Sequence, residues 1–476
     1  VIKKLLTYAP VQIFSALSLF ALIAVQTRFL LPQEYGFLAV LMVIVEASRS
    51  VLIQWINNCL IRFYPSAEQD RQKQISATVV RWLIGNILFS FFVIGVLVAL
   101  LTEFEWRVFF AVYAFFVAKA LYLFSIEYAR VNQKSGHYRR SVMTQAVMSI
   151  LTTVLFLSFV PALEMALLSL VVSYSTGAAM CVGAGAWHRK VTPDTALKKE
   201  LFSYGAPLML SGLLGILAAR SDRLFIANLA GLEQAGQYAA IANLLFGIMA
   251  LVFMAIALPL YPELTKLTED RTRLIAKHKT YSGLLFALSL PATTGLCLLA
   301  PALVGIFLGE AYADIDLTTF YLVAAAALLF NLRAHFFDHG LQFTLQTKYV
   351  PLIMAAVLFV QVLAAFALIP QLGAQGAAIG ILLAMFVSLL LTAFVGWKAG
   401  YRYPAPQSAL KTVIATVVMA LAILAVQPFL GQINDVLALI VTISIALVVY
   451  GLAHLLLNSF EVRSSLLKLR IRQGAV

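Results

Sequence analysis

Solid apolar runs, among them Leu83–Leu101, Leu151–Val172, Leu352–Ile369 and Ile379–Val395, recur along the chain. A bilayer hydrocarbon core needs about 20 predominantly apolar residues per helical crossing. No water is present there, so each crossing must satisfy its own backbone polar groups, which an α-helix does within one segment. Barrel strands would alternate in polarity at about ten-residue spacing; these blocks do not alternate. Composition agrees: of 476 residues 62% are hydrophobic and 12% charged, with mean hydropathy +0.93. A soluble domain is nearer half apolar and a quarter charged. The expected class is an all-α polytopic membrane protein with almost no soluble domain.

Polar breaks cut the chain into about fourteen spans, near 5–31, 36–62, 79–101, 107–130, 141–160, 163–187, 203–230, 235–262, 281–308, 317–346, 349–369, 376–397, 411–429 and 435–457. The first run is too long for a signal peptide, lacks a small-residue cleavage site and leads straight into another span. Cys59, Cys181 and Cys297 all fall inside apolar runs, without the spacing of a zinc site or a disulfide framework.

Basic residues set the expected orientation. With the N-terminus cytoplasmic, the inner segments collect 27 of the 34 Lys and Arg residues, including Lys3, Lys4, Arg62, Arg71, Arg139, Arg189, Lys190, Lys198 and the tail residues Arg463, Lys468, Arg470 and Arg472. The outer loops carry mainly acids, such as Glu34, Glu103, Glu164, Glu233, Glu310 and Asp435. One even-numbered topology with both termini inside satisfies every loop. The net charge of +13 then reads as a topology signal beside anionic lipid, and nucleic acid is not needed to explain it. The loops are too short to build an extramembrane domain.

The segment Lys3-Lys4-Leu5-Leu6-Thr7-Tyr8-Ala9-Pro10 recurs as Lys198-Lys199-Glu200-Leu201-Phe202-Ser203-Tyr204-Gly205-Ala206-Pro207. Each copy continues through a Ser (Ser15, Ser211) and an Arg (Arg28, Arg223) to an outer turn, Glu34-Tyr35-Gly36 or Gly236-Gln237-Tyr238. Six spans separate the copies, so both halves share one orientation. The expected organisation is an N-lobe over 1–193 (spans 1–6), a C-lobe over 194–400 (spans 7–12), and spans 13–14 with a basic cytoplasmic tail over 401–476. The lobes would be related by a pseudo-two-fold axis along the membrane normal, with a cavity between them. Pro10 and Pro207 would bend equivalent helices near their inner ends.

Three motifs carry a family resemblance: Arg28-Phe29-Leu30-Leu31-Pro32-Gln33-Glu34-Tyr35-Gly36; Ser221-Asp222-Arg223 running through Gly231 to Gly236-Gln237-Tyr238; and Gly373-Ala374-Gln375-Gly376-Ala377-Ala378. With the topology, they resemble the polysaccharide-transport (Wzx-like) branch of the multidrug/oligosaccharidyl-lipid/polysaccharide exporter superfamily. The resemblance implies flipping of undecaprenyl-diphosphate-linked oligosaccharide (an O-antigen, capsule or exopolysaccharide unit) across the bacterial cytoplasmic membrane. It also implies a polysaccharide polymerase and a chain-length regulator as partners. No bond is made or broken, so neither catalytic residues nor a cofactor is expected.

Charges at mid-depth are costly and usually face a cavity or a partner. In span two, Glu46, Arg49, Ser50, Ile53 and Asn57 share one face at about 100° per residue; Glu46 and Arg49 either line a path or pair to hold the helix. In span seven, Arg220 and Arg223 lie one turn apart and are expected to face the lumen. Asp222 points roughly the other way, into an interhelical contact. Arg223 alternatively snorkels outward. Span ten carries a polar stripe of Asn331, His335, Asp338, His339, Gln342 and Gln346, with Arg333 on the opposite face. His335, Asp338 and His339, with Asp222, are candidates for ion or proton coupling, against the plainer reading of hydrogen-bonded structural histidines. Lys119 sits mid-span four. The candidate substrate-binding set is thus Arg28, Glu46, Arg49, Asn57, Lys119, Arg220 and Arg223. Its positive surplus suits a diphosphate headgroup, which Arg recognises geometrically. A metal site is not expected, nor direct use of ATP, because no Gly-rich loop ending in Lys-Ser/Thr is present. Two rivals remain: a drug/cation antiporter of the same superfamily, which favours a deep carboxylate cluster, and a polytopic polysaccharide polymerase or ligase, which needs a catalytic platform outside the membrane.

Overall fold

A computed structural model describes residues 2–183, 194–430 and 433–461, with side chains from Phe14 onward except Ala16 and Glu461. Arg189, Lys190, the tail residues Arg463–Arg472, and the Tyr8 and Pro10 side chains of the repeat lie outside what is described. The described residues form helices joined by short links, with no strand among them.

Each expected span coincides with a helix. In order these are α1 (Ile2–Phe29), α2 (Pro32–Phe63), α3 (Gln69–Leu101), α4 (Trp106–Val131), α5 (Ser135–Phe159), α6 (Leu163–Ala179), α7 (Thr195–Leu229) and α8 (Leu232–Thr265). They continue as α9 (Arg271–Leu298), α10 (Leu317–Phe343), α11 (Thr347–Leu372), α12 (Ala374–Lys398), α13 (Ala409–Leu430) and α14 (Asp435–Leu456). Twelve of them are long and apolar enough to cross a membrane; the apolar stretches of the other two, Leu17–Phe29 of α1 and α6, are shorter. A short helix, Ala300–Phe307, follows α9.

The polar breaks start helices as well as separating them. Asp194, Asp270, Asp316 and Asn434 each accept a hydrogen bond from a first-turn backbone N–H of α7, α9, α10 and α14. Such caps satisfy donors that a helix start leaves open and contribute about 1 kcal/mol each. Glu34 of the first outer-turn motif accepts from the Leu31 amide at 3.0 Å. Gln234 accepts from the Ala374 amide at 2.8 Å and so ties the second motif to the third.

Close contacts group the chain into two units, Val1–Ala240 with Val357–Ala377, and Ile241–Ala356 with Ala378–Val476. In the first unit, α5 and α6 are joined by hydroxyls: Ser141 donates to the Gly177 carbonyl (2.7 Å), Thr152 to the Ser169 carbonyl (2.9 Å), and Thr153 bonds the Ser169 hydroxyl (2.8 Å). Apolar side chains gain little by meeting one another in lipid, so small residues and hydroxyls supply much of such helix pairing. On α2, Trp55 packs edge-on against Phe202 of α7. The two outer-turn motifs also meet. A Cβ placed on Gly36 would lie 1.9 Å from the Leu232 carbonyl oxygen, and one on Gly236 would lie 1.8 Å from that of Pro32. Only glycine fits either position. In the second unit α13 and α14 pack on α9: Tyr450 donates to the Ala287 carbonyl (2.5 Å) and Gln427 to that of Leu298 (3.1 Å). The opposite sides of α13 and α14 expose Leu410, Val417, Leu421, Leu447 and Val448, as a lipid-facing surface requires.

Gly36→Ala is expected to lower stability by about 1–3 kcal/mol through overpacking against backbone. Gly85→Ala, where an added Cβ meets nothing within 4 Å, is expected to be neutral or stabilising through helix propensity. Thermal unfolding of the two purified variants in detergent checks the contrast.

Candidate functional site

The apolar sequence of α2 is interrupted by one π-helical turn, Ser50–Gln54. A π turn bonds residue i to i+5 and is often found at functional sites. Here it aligns Arg49 with Gln54, whose Oε1 accepts from Arg49 Nη1 at 2.5 Å. Arg49 Nε also pairs with Glu46 at 2.9 Å, and the other Glu46 oxygen takes an ion pair from Lys119 of α4. The three charged side chains are only 13–15% exposed. The Lys119 ammonium lies over the Phe115 and Tyr174 rings, 5.4 and 5.5 Å from their centroids, which adds cation–π attraction. Glu46 therefore holds two cations, and the cluster is net positive.

The α7 charges complete this region. Asp222 accepts from the Arg223 guanidinium (2.9 Å) and from the Tyr238 hydroxyl of α8 (2.7 Å). Asp222 and Arg223 are buried. Arg220 is different. Its half-buried guanidinium has no hydrogen-bond partner among the described residues. It lies within electrostatic range of Glu46, of the Asp222–Arg223 pair and of Tyr35. Four deep cations thus meet two carboxylates.

Two sequence expectations are corrected here. Arg223 does not share an open face with Arg220: its long side chain folds back onto the neighbouring Asp222, a buried partner being worth more in a dry interior than a wheel position. Asp222 does make the expected interhelical contact, but its oxygens are committed to Arg223 and Tyr238. Asn57 is buried, with its Oδ1 unpartnered. The π turn rotates everything beyond Gln54 relative to a regular helix, so Asn57 does not join the Glu46 cluster through any hydrogen bond. Arg28 is exposed on the last turn of α1.

The second unit contains a second π turn, Arg333–Phe337 of α10. It overturns the placement of Arg333 opposite the polar stripe: at i+5, Asp338 pairs with Arg333 at 3.1 Å. The expected trio of His335, Asp338 and His339 is also split. The His335 ring stacks on Phe253, 5.7 Å between centroids. His339 Nδ1 bonds His278 Nε2 of α9 at 3.3 Å, and Tyr401 bonds His278 Nδ1 at 2.7 Å. Sequence reasoning missed His278, Tyr401, Gln54 and Tyr174. The paired aromatics Tyr401-Arg402-Tyr403 in a polar link were the available signal for burial. Among the described residues no group of three or more His, Cys, Asp or Glu is arranged to hold a metal ion.

The family described as "Polysaccharide biosynthesis protein" matches residues 25–317, more than half of the chain. The chain belongs to this family. With it comes membership of the multidrug/oligosaccharidyl-lipid/polysaccharide exporter superfamily, so the chain is a multi-pass membrane transporter of that type. No curated protein matches it by sequence. Its structure is similar to the lipid II flippase MurJ in an inward closed conformation (TM-score 0.71, 12% identity, 95% of this chain and 98% of that one). It is also similar to an inward-facing multidrug resistance MATE family transporter of the same superfamily (0.58, 12%, 81% and 94%) and to the Vibrio cholerae MATE transporter VcmN in the bent form (0.54, 15%, 83% and 96%). At such identities the likeness concerns the fold.

Within this exporter the paired and unpaired charges should behave oppositely. Asp222→Asn leaves Arg223 buried without its carboxylate and is expected to cost about 3–5 kcal/mol. Arg220→Gln removes a cation that has no hydrogen-bond partner among the described residues to strand, and is expected to leave stability unchanged or raised. Melting temperatures of the two variants, measured side by side in detergent, check the order.

Proposed function

We propose that this exporter flips undecaprenyl-diphosphate-linked oligosaccharide from the cytoplasmic to the outer leaflet of the bacterial cytoplasmic membrane by alternating access, with both termini cytoplasmic. The observation that carries this reading is Arg220, a deep guanidinium without a hydrogen-bond partner among the described residues, beside a Glu46–Arg49–Lys119 cluster that is itself net positive. A charge held at depth without a partner is costly. A diphosphate, with an anionic oxygen on each phosphoryl group, would offset that cost and match the planar fork of Arg. Arg49 and Lys119, already positioned by Glu46, would add electrostatic attraction. The prenyl tail would stay in the bilayer while the glycan passes, and a polysaccharide polymerase with its chain-length regulator would take up the product.

The family description supports a glycan cargo. The MATE likeness belongs to the fold, and a cationic drug would meet the positive surplus as repulsion. A polymerase or ligase activity would need a platform outside the membrane, which the short loops do not supply.

Arg220→Ala is expected to lower surface polysaccharide output about ten- to a hundredfold, as loss of a charge-assisted contact worth about 1.5–3 kcal/mol would do. Lipid-linked oligosaccharide should accumulate on the cytoplasmic side, while the variant is present in the membrane at the normal level. Arg220→Lys should recover part of the output. Normal output from Arg220→Ala would overturn the assignment of the site.

A further inference from the structure

The link between α12 and α13, residues 399–408, packs closely on the second unit. Arg271 donates to the Gly400 carbonyl. The Gln407 amide donates to the Lys279 carbonyl (3.3 Å), and its side chain accepts from Thr280 (2.9 Å). Tyr403 fills the space left by Gly340 and Gly396, where a Cβ would come within 2.0 and 2.1 Å of its hydroxyl. That hydroxyl donates to the Phe337 carbonyl (2.8 Å), and Tyr281 donates to that of His335 (2.9 Å). Two tyrosines therefore serve the carbonyls of the α10 π turn, which no water would serve in lipid.

Tyr401 is placed by the same link. It is 2% exposed, and it reaches His278, which is 0% exposed and in turn bonds His339, 3% exposed. Tyr401, His278 and His339 form one hydrogen-bonded line across three elements. Both His278 nitrogens are used. The remaining nitrogen of His339, Nε2, has no hydrogen-bond partner among the described residues. We propose that His278 and His339 together bind one proton, with Tyr401 as the residue through which the 399–408 link reads its presence; this rests on the reading of the chain as a transporter and names the ion it couples to.

The proton adds to the lone pair of His339 Nε2, and no bond breaks. A lone pair on Nε2 puts the His339 hydrogen on Nδ1, so before and after loading Nδ1–H donates to His278 Nε2, His278 Nδ1–H donates to the Tyr401 oxygen, and the hydroxyl hydrogen points away from His278. Loading leaves this direction unchanged and strengthens both bonds, because the first donor now belongs to a charged imidazole, and Tyr401 receives that change at its oxygen. A second proton would put two like charges in contact, so the pair holds one. The surroundings decide how readily it loads. On α8 stand Tyr261, whose ring is 4.8 Å from that of His339, and Glu263, which pairs with Lys277 of α9. Also on α9 are Arg271, Lys279 and Tyr281; on α10, His335 and the Arg333–Asp338 pair; on the link, Arg402 and Tyr403. Both nearby carboxylates are already paired with cations, so loading gains no free counter-ion and responds to what the link and cargo do.

Magic-angle-spinning NMR of the full-length protein, labelled with 15N-histidine in lipid, tests this between pH 4 and 8. The expected result is a 15N–15N coupling between two imidazoles and a single titration step in which both rings move together. His339→Gln should abolish that step on His278, and Tyr401→Phe should shift its midpoint. Independent titration of the two rings, or rings that stay neutral down to pH 4, would sink the proposal without touching the diphosphate reading. In cells, normal polysaccharide output from Arg220→Ala together with a shared histidine step would sink the cargo reading and leave the proton site standing.

Discussion

A polar group in a hydrocarbon layer has no water to fall back on, so the protein must supply its partner or leave the cost standing. Most of this structure answers that constraint in small ways. Ser and Thr of α5 and α6 bond neighbouring carbonyls. Asp and Asn cap helix starts. Tyr281 and Tyr403 serve the carbonyls of a π turn. Asp222, Arg223 and Tyr238 close on one another. Arg220, by contrast, has no hydrogen-bond partner among the described residues. Trp55 Nε1 and Asn57 Oδ1 are also left without a partner among them; Arg220 differs in carrying a whole charge, and the proposed anion site rests on that.

Glu46 sharpens the point. A carboxylate shared by Arg49 and Lys119 removes only part of their charge. Without it, two bare cations at depth would cost several kcal/mol; with two carboxylates, the cluster would carry no net positive charge. One acid for two bases stabilises the fold and leaves a net positive field, the one the proposed anionic headgroup would use. The Lys119 ammonium is further steadied by Phe115 and Tyr174, whose faces attract the cation without neutralising it.

The helices themselves were legible in the sequence because long apolar runs leave a chain no other choice in lipid. The charge-bearing positions were legible too, since an ionisable residue inside such a run is rare. What failed was azimuth. A wheel of 100° per residue assumes an unbroken α-helix, and both helices that carry the densest polar stripes contain a π turn. After Ser50–Gln54 the prediction for Asn57 drifts; across Arg333–Phe337, Arg333 comes round to Asp338 instead of facing away. Nothing local in Ser-Val-Leu-Ile-Gln or Arg-Ala-His-Phe-Phe announces the extra residue per turn, because the π turn is held by tertiary partners. His278 was invisible for another reason: it lies beside Lys277 and Lys279, where a basic inner segment masks a buried residue.

The two π turns also bear on how such a transporter could move. A π turn is a single-turn bulge within the helix around it, and its i, i+5 pairs hold only while the extra residue stays in place. If α2 reverts locally to α-helix, Arg49 and Gln54 part, and Arg49 is left with Glu46 alone. If α10 does so, Arg333 leaves Asp338, and the carbonyls served by Tyr281 and Tyr403 return to the helix. Each change alters a charged site without moving a whole helix. Under the proposed function, an anion bound beside Glu46 would favour whichever arrangement frees Arg49 to meet it, which would give the cargo a differential contact between two states, and only such a difference can shift an equilibrium.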